Sequence, residues 1–376
     1  MLRGFPVVAL FALYAVIPPA SAQVFSSDSL DQGQPISSVP LPGLIVGSVD
    51  HFCPGAHRPD GHAPIGVMAD HLHPGGEWMI TLRWMRMEMD GLGDGTSSVN
   101  PDNVLGNPML GTGFLAVPLR MTTDMLMLSG MYAPSDNLTL MSMVPYLQRE
   151  MDLAHTSGQN FDTESSGLGD VRIAGLYGLV SGAQTRAHAS LGLSFPTGST
   201  TETDTVLGPG AVSVNARLPF PMQLGSGTYD LSPGFTWTHF RDQHSVGAQL
   251  MHMVRLGEND EGYTLGDITM ASLWGAIRHS ERWSTSLRLG YTHRENIDGS
   301  ENSIGLPGGA APPIAAPTAD PNLQGFDRVD LFLGVNFQGT GGHRLALEVG
   351  TPVYQDVDGP QLETELIFTV GWQLAF

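Results

Sequence analysis

From about Gly76 onward, apolar and polar residues alternate with a period of two along stretches separated by turn-forming residues. That spacing places successive side chains on opposite faces of a strand, whereas a helix repeats its apolar positions at three and four. The last stretch is the clearest. Leu366, Phe368, Val370, Trp372, Leu374 and Phe376 share one face, and Glu363, Glu365, Thr369, Gly371, Gln373 and Ala375 share the other. Trp78, Ile80, Leu82 and Trp84 form a similar apolar face, as do Leu287, Leu289 and Tyr291, and Val329, Leu331, Leu333, Val335 and Phe337. The pattern predicts strands over 77–90, 121–133, 137–151, 168–180, 186–196, 228–239, 244–256, 263–278, 282–294, 326–338, 343–353 and 362–376. The phase of 263–278 is ambiguous, and Pro233 and Pro352 fall inside strands, where each removes a ladder hydrogen bond.

With these bounds, every odd-numbered connection is longer than every even-numbered one. Transmembrane barrels have short periplasmic turns and longer external loops, which gives this order. A β-sandwich in water has no reason to follow it. Lipid offers no partner to an open sheet edge, so a spanning sheet must close. A final strand ending on the aromatic Phe376 also matches the last strand of bacterial outer-membrane barrels. The expected fold is therefore all-β, a transmembrane antiparallel up-and-down β-barrel of about twelve strands over 77–376, preceded by an irregular segment. Trp78, Tyr146, Trp237, Trp283 and Trp372 lie near strand ends, where interfacial aromatics belong.

The first residues read as an export signal. Arg3 precedes an apolar stretch from Phe5 to Pro19, and Ala20-Ser21-Ala22 offers the small-x-small pattern of a cleavage site, so 1–22 is expected to be removed. Beyond it, no apolar run approaches the roughly 20 residues of a spanning helix, so insertion would use strands. Residues 23–76 form a His-rich segment expected to lie in the periplasm or to plug the lumen. The expected location is the cell outer membrane, with the lipid bilayer, the barrel-assembly machinery and a small-molecule solute as partners.

Charge sharpens this picture. The 37 acidic and 17 basic residues give a net charge of −20, which disfavours nucleic acid as a partner. Every basic residue is arginine. Charged residues make up 14% of the chain, against about 25% in ordinary soluble domains. A strand with one face in lipid requires that scarcity. Many acidic residues fall in the long connections and give an acidic outer mouth that favours cations. Arg83, Arg172, Arg255, Arg288 and Arg328 fall on lumenal faces, where Asp170 and Asp330 are candidate partners. Cys53 is the only cysteine, so no intrachain disulfide can form. His252 and His293 fall on the lipid side, but no Ser/His/acid set agrees in phase, and no nucleotide-binding motif is present. No enzyme activity is expected.

Several stretches resemble the outer-membrane family named for a putative role in the meta-pathway of phenol degradation. They include His62-Ala63-Pro64-Ile65-Gly66-Val67-Met68, Gly76-Glu77-Trp78-Met79, Tyr132-Ala133-Pro134-Ser135-Asp136, Gly167-Leu168-Gly169-Asp170 and Phe195-Pro196-Thr197-Gly198. Leu224-Gly225-Ser226-Gly227-Thr228-Tyr229-Asp230, Arg255-Leu256-Gly257-Glu258-Asn259 and Pro352-Val353-Tyr354-Gln355 continue it. The resemblance covers most of the chain after about residue 60. It implies a transporter-like barrel for a hydrophobic or aromatic compound, with no catalytic residues to carry over.

Two residue types are unevenly spread. Thirteen of the 18 methionines lie between Met68 and Met151, and five of the 13 histidines lie between His51 and His73. Period two places Met79, Met85, Met87 and Met89 on the face of Thr81 and Arg83, opposite the Trp and Leu face. Met125, Met127 and Met131 follow on the next strand, Met141, Met143 and Met151 on the third, and Met251 and Met253 on the seventh. All are expected to face the lumen. Thioethers select copper(I) and imidazoles bind copper or zinc, so a soft-metal path is one reading. His51, Cys53, His57, His62, Met68, His71 and His73 would form its mouth. The other reading is that flexible methionines fill an irregular lumen or line an apolar slide. A structural barrel without transport is the third. The expected function is passage of a small hydrophobic or aromatic solute, with copper binding or transport and a structural barrel as the alternatives.

Overall fold

The computed structural model describes residues 58–106, 112–300 and 315–376. The expected signal peptide, together with His51, Cys53 and His57, lies outside the described residues. Eleven strands form the wall: β1 (Trp78–Gly95), β2 (Ala116–Ser135), β3 (Leu138–His155), β4 (Val171–Ser181), β5 (Thr185–Phe195), β6 (Tyr229–Phe240), β7 (His244–Leu256), β8 (Ile268–Arg278), β9 (Trp283–Arg294), β10 (Phe326–Gln338) and β11 (His343–Ala375). Each pairs antiparallel with the next in sequence, and β11 pairs back onto β1, so the sheet closes. Two more strands, Ser97–Val99 and Asn160–Leu168, pair with β1 and β3 outside this ring.

The twelve expected strands all have counterparts in the ring, with the last two joined in one element. The predicted strands 343–353 and 362–376 are two limbs of the single element β11. Its first limb pairs with β10 from Arg344 to Val357, and its second pairs with β1 from Val357 to Ala375. Both pairings are antiparallel, so β11 reverses direction, and Gly359 at φ +87° supplies the left-handed residue a tight reversal needs. The ambiguous segment 263–278 divides. Tyr263–Thr264 pairs with Asp298–Gly299 in a separate two-stranded sheet, and β8 begins at Ile268. The prolines sit at breaks in the ladder. The β6–β7 pairing lapses at Ser232 and Pro233, and Pro352 lies at a register shift opposite Asp330.

Alternation sorts side chains as lipid and lumen require. Leu128, Leu191, Leu273, Leu287 and Leu333 are exposed outward, while Thr81, Ser129, Arg288, Asn336, Glu348 and Gln373 are buried inward. Trp274 faces in, against the plug residues Ala63 and Val67. The start of β1, the end of β11 and the short turns share one end, which in outer-membrane barrels is periplasmic.

Residues 58–76 enter the lumen at that end, and wall side chains grip their backbone. Ser245 donates to the Asp60 carbonyl (2.8 Å), Ser284 to Pro59 (2.7 Å), Arg344 to Ala63 (2.8 Å) and Gln249 to Met68 (2.8 Å). The plug returns donors as well. Gly66 N–H reaches Glu348 (3.0 Å) and His73 N–H reaches Thr139 (3.0 Å). A segment with no sheet of its own needs such partners to bury its peptide groups. At the outer end, the hairpin Thr203–Leu207/Ser213–Arg217 and the turn Phe220–Met222 fold over the opening and add Leu218 and Met222 to a buried lumenal cluster.

Candidate functional site: methionine stripe and histidine plug

The register of β1, β2 and β3 stacks methionines across the wall. Met79 lies opposite Met131, Met85 opposite Met125 and Met89 opposite Met121. Met131 in turn lies opposite Met141, and Met121 opposite Met151. Directly opposed residues hold their Cβ atoms about 4.5–5.5 Å apart, within reach of two thioethers. Two buried clusters result. Met79, Met127, Met131, Met141 and Met143 pack with Ala69 and Leu176, with Met68, Leu72 and Met125 against them. Met121 and Met151 pack with Leu153, Leu218 and Met222, with Met89 against them. Met85 and Met87 are half-buried on the wall between.

The stripe therefore runs up the lumenal wall, covered by the plug at its lower end and by the outer loop at its upper end. Met251 and Met253 stand elsewhere. They lie on β7, where Met251 opposes Met270 and Met253 is buried. Met121 shares the phase of Met125 and could have been placed from the sequence. Met222 belongs to a connection without periodicity and could not.

The histidines gather in the plug. His71 Nδ1 lies 2.8 Å from Asp70 Oδ1, His73 Nδ1 lies 3.1 Å from Glu77, and the two Nε2 atoms are 3.1 Å apart. The His62 ring meets that of His71 edge-on at 4.4 Å. Asp70 is turned back by Ala69, which adopts φ +52°, so that its second oxygen accepts from Ala63 N–H at 2.8 Å. Met68 leaves this group. It packs into the lower methionine cluster instead. Sequence reasoning found His62, His71 and His73 but not Asp70 or Glu77, because lone acidic residues near a predicted strand start read as solvated.

Burial disfavours charge on His62 and His73. It is the main cause that lowers His62 well below the usual histidine value, with Arg344 adding to it. Burial also lowers His73, against the opposing pull of Glu77. For Asp70, burial pushes up, but the charge and hydrogen bond of His71, helped by His62 and Arg344, outweigh it and hold the carboxyl below the usual range. A cavity of about 190 Å³ opens beside the cluster, lined by His62, His71, His73, Glu77, Met79 and Arg344 among others.

The lumenal arginines are largely spoken for. Arg288 forms a bidentate pair with Glu348 at 2.8 Å through each nitrogen, Arg328 pairs with Asp330 at 3.0 Å, and Arg255 pairs with Asp230. Arg83 is buried in the wall, and its Nε has no partner among the described residues. Among the described residues Asp170 forms no close ion pair with an arginine, although its charge reaches Arg172. It accepts from Gly198 N–H (2.9 Å), Ser226 N–H (2.8 Å) and Ser226 Oγ (2.8 Å), which ties the outer connection to β4.

The closed ring, the outward apolar band and the polar lumen define the fold of an outer-membrane β-barrel. No family model matches the chain, and no curated protein does. Among solved structures, an outer-membrane channel from Pseudomonas putida F1 is 16% identical, with 82% of this chain and 99% of that chain covered at a TM-score of 0.54. The transport unit of the autotransporter AIDA-I from Escherichia coli is 11% identical over 82% of this chain and 93% of that one, at 0.47. A deletion mutant of the TodX monoaromatic hydrocarbon channel is 12% identical over 81% and 91%, at 0.40. The first of these establishes the shared fold.

Proposed function

We propose that the protein is an outer-membrane channel that passes a small soft solute, copper(I), along the methionine stripe. The observation that carries this reading is the direct opposition of methionines at three heights of the wall: Met79–Met131–Met141, Met85–Met125 and Met89–Met121–Met151. Thioethers are soft ligands that select copper(I). A stripe of sites with two or three thioethers each, repeated along the wall, suits passage better than storage at one point. A second reading, passage of a hydrophobic or aromatic compound, draws on the apolar partners of both clusters, Ala69, Leu176, Leu153 and Leu218. Flexible methionines suit such a path as well, but that reading does not call for sulfur to be opposed to sulfur across neighbouring strands. Export through a cleaved signal peptide and assembly by the barrel-assembly machinery belong to the same proposal.

The test is cellular copper accumulation in a deletion strain complemented with the wild-type gene or with Met85, Met87, Met125 and Met127 all changed to Leu. Restored accumulation by the wild type alone is the expected result. Equal accumulation by both refutes the thioether route, and if aromatic uptake is restored by both, the second reading takes its place. No change in either solute leaves a structural barrel.

A further inference from the structure

We propose that the plug carries a binding site for a divalent transition-metal ion of the imidazole-binding class, Zn²⁺ or Cu²⁺, formed by His62, Asp70 and His71 beside His73. One ligand atom from each of His62, Asp70 and His71 lies within 4.8 Å of the other two. A tetrahedral ion with bonds of roughly 2.0–2.1 Å spaces its ligand atoms by about 3.3 Å, which small rotations of the rings supply.

Proton placement points the same way. A carboxylate only accepts, so His71 and His73, whose Nδ1 atoms face Asp70 and Glu77, each carry their proton on Nδ1. That leaves two Nε2 lone pairs facing one another across 3.1 Å. Such a contact is repulsive unless a cation, a proton or a metal ion, is shared between them. Independently, His62 Nδ1 is buried with no hydrogen-bond partner. Glu77 behind His73 is also the outer-shell arrangement that orients a metal-facing histidine and raises its basicity.

The charge balance permits a cation. Asp70 and Glu77 face the group from the plug and the start of the barrel. Arg344 faces it from β11, but its guanidinium is held by the Ala63 carbonyl, Asn336 (2.7 Å) and Gln373 (2.5 Å). The donors are nitrogen and oxygen, with no sulfur, so the preferred ion differs from the one proposed for the stripe. The site also has a mechanical consequence. An ion joining residue 62 to residues 70 and 71 closes the loop Ala63–Ala69, which holds Ile65 and Gly66 against the wall. The metal latches the plug.

The experiment is calorimetric titration of the full-length folded barrel, stripped with a chelator, with Zn²⁺ and then Cu²⁺. Wild type is expected to show a tight site that His62→Gln and His71→Gln each weaken by more than tenfold, and that Glu77→Gln weakens by about 10- to 100-fold. The four-methionine leucine variant keeps the site, which separates this proposal from the copper(I) route. Heat-modifiable migration checks that each variant is folded. Should a variant not fold, slower hydrogen exchange across residues 62–73 of wild type on adding Zn²⁺ gives the same answer. The proposal is overturned by no tight site in wild type, by His71→Gln binding as wild type does, or by unchanged exchange.

Discussion

At Gly66 the plug comes so close to the wall that a side chain has no room. A Cβ there would lie 2.2 Å from Glu348 Oε2 and 2.4 Å from Arg288 Nη2, the two ends of the bidentate pair. Both partners are buried, so neither can swing into water. Gly66→Ala is therefore expected to push the plug off the pair rather than break the barrel. Hydrogen exchange across residues 60–70 should rise at least tenfold while heat-modifiable migration stays as in wild type. Glu348→Gln acts from the other side, by leaving Arg288 buried without its countercharge. A change of that kind typically costs about 3–5 kcal/mol. It should lower the thermal midpoint of the barrel, and an unchanged midpoint would show that water replaces the lost charge. At this scale, residue type was a good guide and geometry was hidden. Histidine and methionine stood out by their crowding. Nothing local to Glu348, 282 positions along the chain from Gly66, marks it as the plug's acceptor.

Strands were the most legible elements because lipid on one side and a polar lumen on the other force a strict period of two. Where that constraint relaxes, the sequence misleads. Residues 263–267 leave the wall for the outer rim, and the last two segments run through a tight reversal as one element. Turn and loop structure is set by contacts distant in sequence, as at Asp170. Its carboxylate collects three donors from the connection between β5 and β6. Asp170→Ala leaves these donors without an acceptor, at about 1–3 kcal/mol for each that stays buried. The connection should loosen while the wall persists, so limited proteolysis should cut within residues 196–228 well before it cuts wild type. Equal cleavage rates would mean that the packing of Leu218 and Met222 holds the loop by itself. The methionine ladder belongs to this scale too. Leucine conserves volume closely enough that core swaps usually cost under about 1.5 kcal/mol, so the four-leucine variant tests sulfur chemistry rather than folding.

For the whole molecule, the decisive question is which end of the lumen sets the barrier. Barrels of about 16 to 18 strands leave an aqueous channel, while those of about eight are filled by their own side chains. This ring of eleven elements, the last of which crosses the wall twice, lies between, and here a plug and an outer loop occupy the space. In a dry core, removing the plug would orphan the wall groups that grip it, among them Ser245, Ser284, Arg344 and Gln249. In a lumen open to the periplasm, water takes the place of each plug carbonyl. Deletion of residues 58–73 should therefore leave a folded, heat-modifiable barrel. It should also uncover Met79, Met131 and Met141, now packed against Ala69, Met68 and Leu72, and open the lower half of the stripe. In planar bilayers the deletion variant should show steady conductance several times that of wild type, and cation selectivity consistent with the net charge of −20. If conductance stays at the wild-type level in a folded deletion variant, the barrier is the outer cluster of Met121, Met151, Leu218 and Met222. The plug would then be a support for the wall and not a gate.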